Sequence, residues 1–273
     1  MPELPEVETV RRALEAEVSG RLVTAVRGRP VRLRRPLDPD AVRAGLVGRR
    51  LAGFRRRGKF LLLDTTDGGG LLVHLGMSGR LRLWPEGTTA GSHTHLRLSL
   101  DDGRELALVD PRRFGLAVFL PPGAEAEEPA LVALGPDALD PDLPEVLDAA
   151  LERRRAPVKA VLLDQRVVAG LGNIYACEAL WRAGVHPARP ARSLSRPRRR
   201  RLGAAAREVL EEAVARGGTT LRDFAGVDGR AGMFRLELAV YGREGEPCPR
   251  CRAPVRRAPL AGRSTWWCPR CQR

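Results

Sequence analysis

The first residues of the chain combine a potential nucleophile with a carboxylate. Pro2 and Glu3 open the run PELPEVE, and removal of Met1 would expose a secondary amine at Pro2. A free α-amine titrates near pH ~8, so roughly a tenth of it is neutral and nucleophilic at pH 7. The pair can therefore do imine chemistry. The alternative is structural, because prolines and acidic residues are also favoured in the first turn of a helix.

Four cysteines near the C-terminus have the spacing of a zinc site. Cys248 and Cys251 form one Cys-x-x-Cys pair, and Cys268 and Cys271 form a second. Four thiolates in two such pairs can close a tetrahedron around one zinc ion. Disulfides are the alternative, but they need an oxidising compartment, for which nothing in the sequence speaks. We expect one Zn²⁺ with a structural, non-catalytic role in a small two-stranded ribbon.

The basic residues indicate a polyanionic partner. The chain has a net charge of +14, and its only lysines are Lys59 and Lys159. An excess spread along the whole chain favours nucleic acid ahead of an anionic membrane surface, because each neutralised phosphate releases counterions. Any lysine-dependent proton transfer has only these two candidates. No stretch approaches the ~20 apolar residues of a membrane span, and the N-terminus does not have the pattern of a signal peptide, so we expect a cytoplasmic protein.

The pattern of apolar residues predicts the elements that position these groups. Apolar residues from Leu4 to Val18 recur at spacings of three and four, which predicts a helix whose positive dipole end disfavours an ammonium group at Pro2. Short alternating segments separated by turns such as Asp102-Gly103 predict an antiparallel β-sandwich with this helix packed on it. The predicted strands are 51–64, 71–83, 94–100, 104–109 and 114–120.

The pattern changes in the second half of the chain. Helical periodicity predicts helices at 145–155, 158–169, 173–183 and 195–216, with Gly170 and Gly172 placing Asn173 as the cap of the third. Glycines at 226–234 predict a loop, and 235–241 is predicted as a strand. The predicted domains are a β-sandwich at 1–120, a linker at 121–144, a helical domain at 145–234 and a zinc ribbon at 235–273.

Five motifs occur together and in one order along the chain. They are PELPEVET from Pro2, HLGMSG from His74, DPRRFG from Asp110, GNIYA from Gly172 and the four C-terminal cysteines. Together they resemble the formamidopyrimidine-DNA glycosylase family over residues 2 to 271. The resemblance implies an α+β fold in which the N-terminal helix packs on an antiparallel β-sandwich, followed by a helix-two-turn-helix domain and a zinc ribbon.

The resemblance implies a DNA glycosylase and AP lyase that excises oxidised purines such as 8-oxoguanine and formamidopyrimidines from double-stranded DNA. In this family the amine at Pro2 attacks C1′ of the damaged nucleotide, and the resulting Schiff base allows β- and δ-elimination. Glu3 matches the acid–base residue, Lys59 the residue of β-elimination and Arg263 the residue of δ-elimination.

Further residues match the DNA-binding positions of the family. Met77, Arg112 and Phe114 match the set that fills the space left by a flipped base. Composition alone would place Met77 and Phe114 in the core, but the neighbouring glycines indicate turn tips. The remaining matches are His74, His93, Arg155, Lys159, Asn173 and Tyr241.

Met233 departs from the pattern, because many relatives have tyrosine there, in the loop that closes over the base. A thioether packs but donates no hydrogen bond, which affects contacts to the base. Two alternatives remain. One is an enzyme of the endonuclease VIII type that prefers oxidised pyrimidines, and the other is a non-catalytic zinc-ribbon DNA-binding protein. For the glycosylase we expect a monomer.

Overall fold

The computed structural model describes residues 2–218 and 238–273, which form two compact units. Unit one contains the described residues up to Val132 together with Gly217 and Gly218, and unit two contains the rest. The predicted loop at 226–234, with Met233, lies outside the described residues, as does the predicted strand at 235–241 except for its last four positions. Those four positions, 238–241, are not in a strand.

Unit one begins with helix α1, Leu4–Val18, as the apolar spacing predicts. The helix buries Leu4, Val7, Val10, Leu14 and Val18 along one side. Glu3 is the N-cap residue, and its backbone N–H donates to Glu6 Oε2 at 2.8 Å as part of a capping box. These contacts satisfy donors that a helix start would otherwise leave unpaired, and they fix where the helix begins.

Two antiparallel sheets of four strands form the rest of unit one. The first has the order β1-β8-β9-β7 and the second the order β10-β6-β5-β4. Leucines and valines of both sheets and of α1 share one buried cluster, so the sheets pack face to face as predicted. The strands are β1 Val23–Gly28, β2 Val31–Arg32, β3 Pro36–Leu37, β4 Leu51–Arg57, β5 Phe60–Thr65, β6 Gly70–His74, β7 Arg80–Pro85, β8 Thr94–Leu100, β9 Arg104–Val109 and β10 Leu116–Leu120.

Two predicted strands are each divided by a turn. The segment 51–64 is the hairpin of β4 and β5, because Gly58 has a φ of +57° and reverses the chain. The segment 71–83 leaves the second sheet after β6 and enters the first as β7, turning at Gly76 with a φ of +62°. Glycine adopts these angles without steric cost. The predictions of β8 and β9 are confirmed.

Helix α2, Pro39–Leu46, is absent from the sequence prediction. The start of this helix is stabilised by a residue next to it in sequence. The carboxylate of the N-cap residue Asp38 accepts the backbone N–H groups of Asp40 and Ala41, both at 3.0 Å. An aspartate followed by proline is a frequent helix start, so this signal could have identified the helix.

The segment 121–144, predicted as a linker, contains ordered turns. It holds a 3₁₀ helix at Ala124–Glu127 and helix α3, Pro129–Val132, and helix α4, Leu143–Glu152, begins at its end. The division between the two units falls within it, after Val132.

Unit two is built from helices α4 Leu143–Glu152, α5 Val158–Leu163, α6 Asn173–Ala183 and α7 Arg196–Ala215. The prediction of α6 is confirmed, whereas the predicted helix 158–169 ends at Leu163. The amide of Gln165 explains this end, because its Nε2 donates to the carbonyls of Leu163 and Leu171 at 3.1 and 2.8 Å. Residues 165–168 form a turn and a bend, in which the N–H groups of Val167 and Val168 donate to the carbonyl of Asp164, and Ala169 bridges to Asp137.

The ribbon at the end of the chain has two strands, β11 Arg256–Leu260 and β12 Arg263–Trp267. They are joined by Ala261 and Gly262, both with positive φ, which is the geometry of a two-residue hairpin turn. Within residues 2–218 and 238–273, no helix has the length and apolar character needed to cross a membrane.

Candidate active site and nucleic-acid interface

Pro2 and Glu3 are both buried at the start of α1, and Glu3 is only 1% exposed. Helix α1 is fixed to strand β4 at Phe54. The Phe54 N–H donates to Glu15 Oε2 at 2.9 Å, and the Phe54 carbonyl accepts a hydrogen bond from Arg11 at 3.1 Å. Two polar contacts across this packed surface prevent the helix from sliding along the sheet, so the position of Glu3 is set by β4.

Lys59 lies in the β4–β5 turn and is 8% exposed. Arg56 connects this turn to α1, because it pairs with Glu8 at 3.2 Å and donates to the carbonyl of Gly58 at 3.0 Å. Burial alone would raise the pKa of Glu8, but hydrogen bonds from Arg11 and Arg12 hold it below its ordinary value. An ionised Glu8 thus joins the helix that begins at Glu3 to the turn that carries Lys59.

Sequence reasoning missed Glu8 and Arg56. A signal for Glu8 was present, because it lies one position from Val7 on a helix whose apolar side is buried, and it is itself buried. A carboxylate at such a position needs a cationic partner. The identity of that partner depends on the packing of α1 on β4.

His74 ends β6 and faces Phe60, with their ring centroids 4.7 Å apart. Its Nδ1 accepts the N–H of Gly76 at 2.9 Å, so the ring hydrogen is on Nε2. Burial lowers the pKa of His74 to about 3, with further contributions from the charges of Arg34 and Lys59. The imidazole is therefore a neutral residue that orders the turn after β6.

This low pKa predicts a loss of stability in acid. The unfolded chain protonates His74 below its ordinary pKa of 6.5, whereas the folded protein protonates it only near 3. The contribution of His74 to stability is therefore complete above pH 6.5 and is lost as the pH falls towards 3. Between pH 7.5 and 5 the unfolding free energy should fall by about 2 kcal/mol because of His74. In His74→Asn, whose amide oxygen can accept the same N–H, we expect this part of the pH dependence to be absent.

Urea unfolding at the two pH values measures this difference. The matched control is His93→Asn, since His93 is a histidine with an exposed side chain. Equal effects of the two substitutions would contradict the assignment to His74.

Met77 and Phe114 are large apolar side chains that remain exposed, at 41% and 45%. Arg112 lies over the ring of Phe114, with its guanidinium carbon 5.0 Å from the ring centroid. The turns that carry these residues touch each other, because a Cβ added to Gly76 would lie 2.4 Å from the carbonyl carbon of Phe114. Unit one thus presents three predicted residues on two adjoining turns.

His93 is exposed just before β8. Its carbonyl accepts the N–H of Asp110 at 2.9 Å, which ties it to the second of these turns. His93 thus lies on the same part of unit one as Arg112.

In unit two, Lys159 and Asn173 meet at Ser264. The carbonyl of Ser264 accepts from Lys159 Nζ at 3.2 Å and from Asn173 Nδ2 at 3.0 Å, and Lys159 also donates to Thr265 Oγ1 at 2.6 Å. Lys159 is fully buried, so in this structure its ammonium holds β12. Arg263, exposed at the start of β12, is the residue that this contact positions.

Asn173 is the first residue of α6 and not its cap. Gly172 is the N-cap residue, and a glycine has no side chain with which to cap the helix. The Oδ1 atom of Asn173 is buried, and no hydrogen-bond partner for it lies among the residues that the structure describes. The expectation that Asn173 caps the helix was therefore wrong by one position, because its side chain turns towards β12 instead.

Tyr241 and Arg155 lie in different parts of unit two. Tyr241 packs on Trp266, with ring centroids 4.4 Å apart, and Arg155 is exposed between α4 and α5. The carboxylate of Glu178 accepts three successive N–H groups, from Ala239, Val240 and Tyr241, at 2.8, 3.0 and 2.9 Å. Glu178 was missed from sequence because its partners are main-chain groups, which no residue pattern reveals.

The four predicted cysteines form one cluster. All four sulfur atoms lie within 4.8 Å of one another, and the Cys251–Cys268 and Cys248–Cys271 pairs are 3.4 and 3.9 Å apart. Zn–S bonds of about 2.3 Å in a tetrahedron place sulfur atoms about 3.8 Å apart, so the cluster fits zinc. Bound there, Zn²⁺ would cross-link the two turns of the ribbon.

Trp181 contacts this cluster from α6, donating its indole N–H to Cys248 Sγ at 3.4 Å. A donor to a coordinating sulfur stabilises its negative charge and fixes its orientation. We expect Trp181→Phe to release zinc to a chromophoric chelator about tenfold faster. The control is Trp84→Phe on β7, and release at the wild-type rate from Trp181→Phe would exclude a role for the indole N–H.

Three family models match the chain. Residues 1–117 match the formamidopyrimidine-DNA glycosylase N-terminal domain, residues 134–225 the H2TH domain of the same proteins, and residues 245–273 a zinc finger found in FPG and IleRS. The chain is 48% identical over 274 residues to a formamidopyrimidine-DNA glycosylase of Stenotrophomonas maltophilia, and 50% identical over 275 residues to one of Rhizorhabdus wittichii. Both alignments cover the whole of each chain.

Solved structures agree with these matches. The MutM (Fpg) protein of Thermus thermophilus is 46% identical, with a TM-score of 0.88 over 99% of this chain and 98% of that one. The Fpg of Lactococcus lactis, solved in complex with DNA containing an abasic site, is 32% identical, with a TM-score of 0.91 over the whole of both chains.

Proposed function

The chain belongs to the formamidopyrimidine-DNA glycosylase family, and we propose that it excises oxidised purines from double-stranded DNA and then cleaves the strand. The observation that carries the proposal is the start of α1, where Pro2 and Glu3 are held on a helix joined to the turn of Lys59 through Glu8 and Arg56. The candidate nucleophile Pro2 and two candidate proton carriers, Glu3 and Lys59, thus belong to connected elements of unit one, which supports the proposal. We propose that the protein acts as a monomer.

The first step is attack of the neutral Pro2 amine on C1′ of the flipped nucleotide. The C1′–N bond breaks, and the base leaves with the proton that the Pro2 nitrogen loses after attack. Glu3 protonates the ring oxygen as the sugar opens, which leaves an iminium ion between Pro2 and C1′. A carboxylate one residue from the nucleophile has the reach for this transfer.

The second step is elimination from the imine. The cationic imine acidifies the proton on C2′, its loss breaks the bond to the 3′ phosphate, and a further elimination breaks the bond to the 5′ phosphate. Lys59 is proposed for the first proton transfer and Arg263 for the second. Both are also suited to holding phosphates, since Lys59 is a cation in the β4–β5 turn and Arg263 is an exposed cation at the start of β12.

The remaining residues would bind DNA. Met77, Arg112 and Phe114 would fill the space left by the flipped base, where unstacking costs a few kcal/mol. His93 and Arg155, both exposed, would contact the DNA backbone with Asn173 and Tyr241. His74, which is buried, would contribute by ordering the turn that carries Met77. For Lys159, which is buried in this structure, a DNA contact would require movement, and a role in holding β12 fits its observed partners.

Borohydride trapping tests the proposal. Protein whose Met1 is shown by mass spectrometry to be absent is mixed with a duplex containing 8-oxoguanine and with a duplex containing an oxidised pyrimidine. We expect a covalent adduct in the presence of borohydride and the products of both eliminations in its absence. Both should form faster on 8-oxoguanine.

Two other outcomes would favour the alternative functions. Faster trapping on the oxidised pyrimidine would favour an enzyme of the endonuclease VIII type. Tight binding without any adduct would favour a non-catalytic zinc-ribbon DNA-binding protein.

A further inference from the structure

The two turns that carry Met77 and Phe114 are joined by a buried carboxylate. The wedge turns, defined as Leu75–Gly79 and Asp110–Gly115, meet at Asp110, which is 0% exposed. Its Oδ1 accepts the hydroxyl of Ser78 at 2.7 Å, and its Oδ2 accepts the N–H of Gly115 at 2.7 Å. One side chain thus spans from the first turn to the far end of the second.

Ser78 completes this connection. Its hydroxyl donates to Asp110 and also accepts the backbone N–H of Arg112 at 3.2 Å. Asp110 itself is held by its main chain, since its N–H donates to the carbonyl of His93 at 2.9 Å and its carbonyl lies 2.8 Å from His95 Nε2. Ser78 therefore connects the first turn to the second through two hydrogen bonds.

Backbone packing leaves little room between the turns. A Cβ added to Gly76 would lie within 2.6 Å of the main chain at Phe114 and Gly115, and one added to Gly115 would lie 2.9 Å from the carbonyl oxygen of His74. The main chains therefore touch without intervening side chains. Contacts this close transmit displacement from one turn to the other.

We propose that Ser78 and Asp110 are positioning residues that make the wedge turns a single rigid body, so that Met77 and Phe114 enter the duplex together. This inference rests on the proposed function, in which these side chains fill the space left by a flipped base. Exposed apolar side chains on separate turns would each sample several positions. A shared hydrogen-bonded anchor removes that freedom before DNA binds.

Substitution of Ser78 tests the connection. Ser78→Ala removes the hydroxyl that bonds to Oδ1 of Asp110 and to the N–H of Arg112. It does not substitute Met77, Arg112 or Phe114. We expect roughly a tenfold loss of kcat/KM on duplex 8-oxoguanine, because a small misplacement of positioning groups has effects of this size or larger. On a single-stranded oligonucleotide with an abasic site, where no base is flipped, we expect the wild-type rate.

A spectroscopic readout follows the wedge itself. 2-Aminopurine beside the lesion brightens when it is unstacked, and we expect the fast rise in fluorescence to slow in Ser78→Ala. Ser78→Thr keeps the hydroxyl and should restore both the signal and the duplex rate. The matched control is Ser19→Ala, at an exposed serine after α1.

A second variant perturbs the same contact without removing a polar group. Gly76→Ala forces a methyl group against the main chain of Phe114, whereas a methyl group at Gly87, which also has a positive φ, meets nothing within 4 Å, so Gly87→Ala serves as its control. We expect Gly76→Ala to lose duplex activity and retain single-strand activity. It also decides the question if thermal melting shows that Ser78→Ala does not fold.

The outcomes separate this inference from the proposed function. Wild-type rates and fluorescence in Ser78→Ala and Gly76→Ala, or equal losses on duplex and single-stranded substrates, would overturn the rigid connection. Failure of the proposed function would appear differently, as an absence of borohydride adduct with the unsubstituted protein.

Discussion

Glu3→Gln is expected to abolish base excision while leaving DNA binding intact. Glutamine has nearly the shape of glutamate, and its amide oxygen can still accept N–H groups at the start of α1, where Glu3 is the N-cap residue. It cannot deliver or accept a proton at neutral pH. General acid–base groups contribute about 10² to 10⁴ in rate, so we expect excision of 8-oxoguanine to fall by about 100-fold or more.

Single-turnover excision and equilibrium binding to the same duplex measure the two effects. The control is Glu17→Gln on the same helix, where an exposed carboxylate pairs with Arg104 at 2.9 Å. Excision within about threefold of the wild-type rate would remove Glu3 from acid–base catalysis, because even the weakest such groups contribute more. Thermal melting separates this loss from any weakening of the capping box.

Blocking the amine of Pro2 is expected to eliminate covalent trapping. A protein with an uncleaved extension before Pro2 has an amide nitrogen there, and an amide cannot form a Schiff base. We expect the borohydride adduct and strand cleavage to fall to background.

The extension itself provides the control. If it ends in a protease site that leaves Pro2 first, cleavage of the same sample should restore trapping. Adduct formation by the uncleaved protein would assign the nucleophile to another amine, and Lys59 and Lys159 are the only lysines in the chain. Mass spectrometry of the trapped peptide would show which one.

The elements that were predicted well are those whose signals are local. Helix α1 follows from apolar spacing and an acidic first turn, and the bounds of α6, β8 and β9 coincide with the predicted ones. The cysteine cluster follows from spacing alone, because two residues between ligands suit a tight turn around one ion. These features depend on residues a few positions apart.

Other predictions were wrong where the chain changes conformation although the residue pattern continues. The strand predicted at 51–64 is a hairpin because Gly58 reverses the chain. The helix predicted at 158–169 ends at Leu163, where the side chain of Gln165 donates hydrogen bonds to the carbonyls of Leu163 and Leu171. Periodicity continues through both positions, so it does not report the break. Lys159 is charged, and charged residues usually lie at the surface, but its side chain is buried and donates to Thr265 of β12.

By itself the sequence determined the chemistry available to this protein, namely an amine beside a carboxylate, two lysines, a four-cysteine cluster and an excess of positive charge. Only the tertiary structure decided how these groups are held. Glu8 meets Arg56 across 48 positions and Ser78 meets Asp110 across 32. Such pairs depend on strand register and helix packing, which are set by the buried core as a whole and leave no trace in the spacing of the residues concerned.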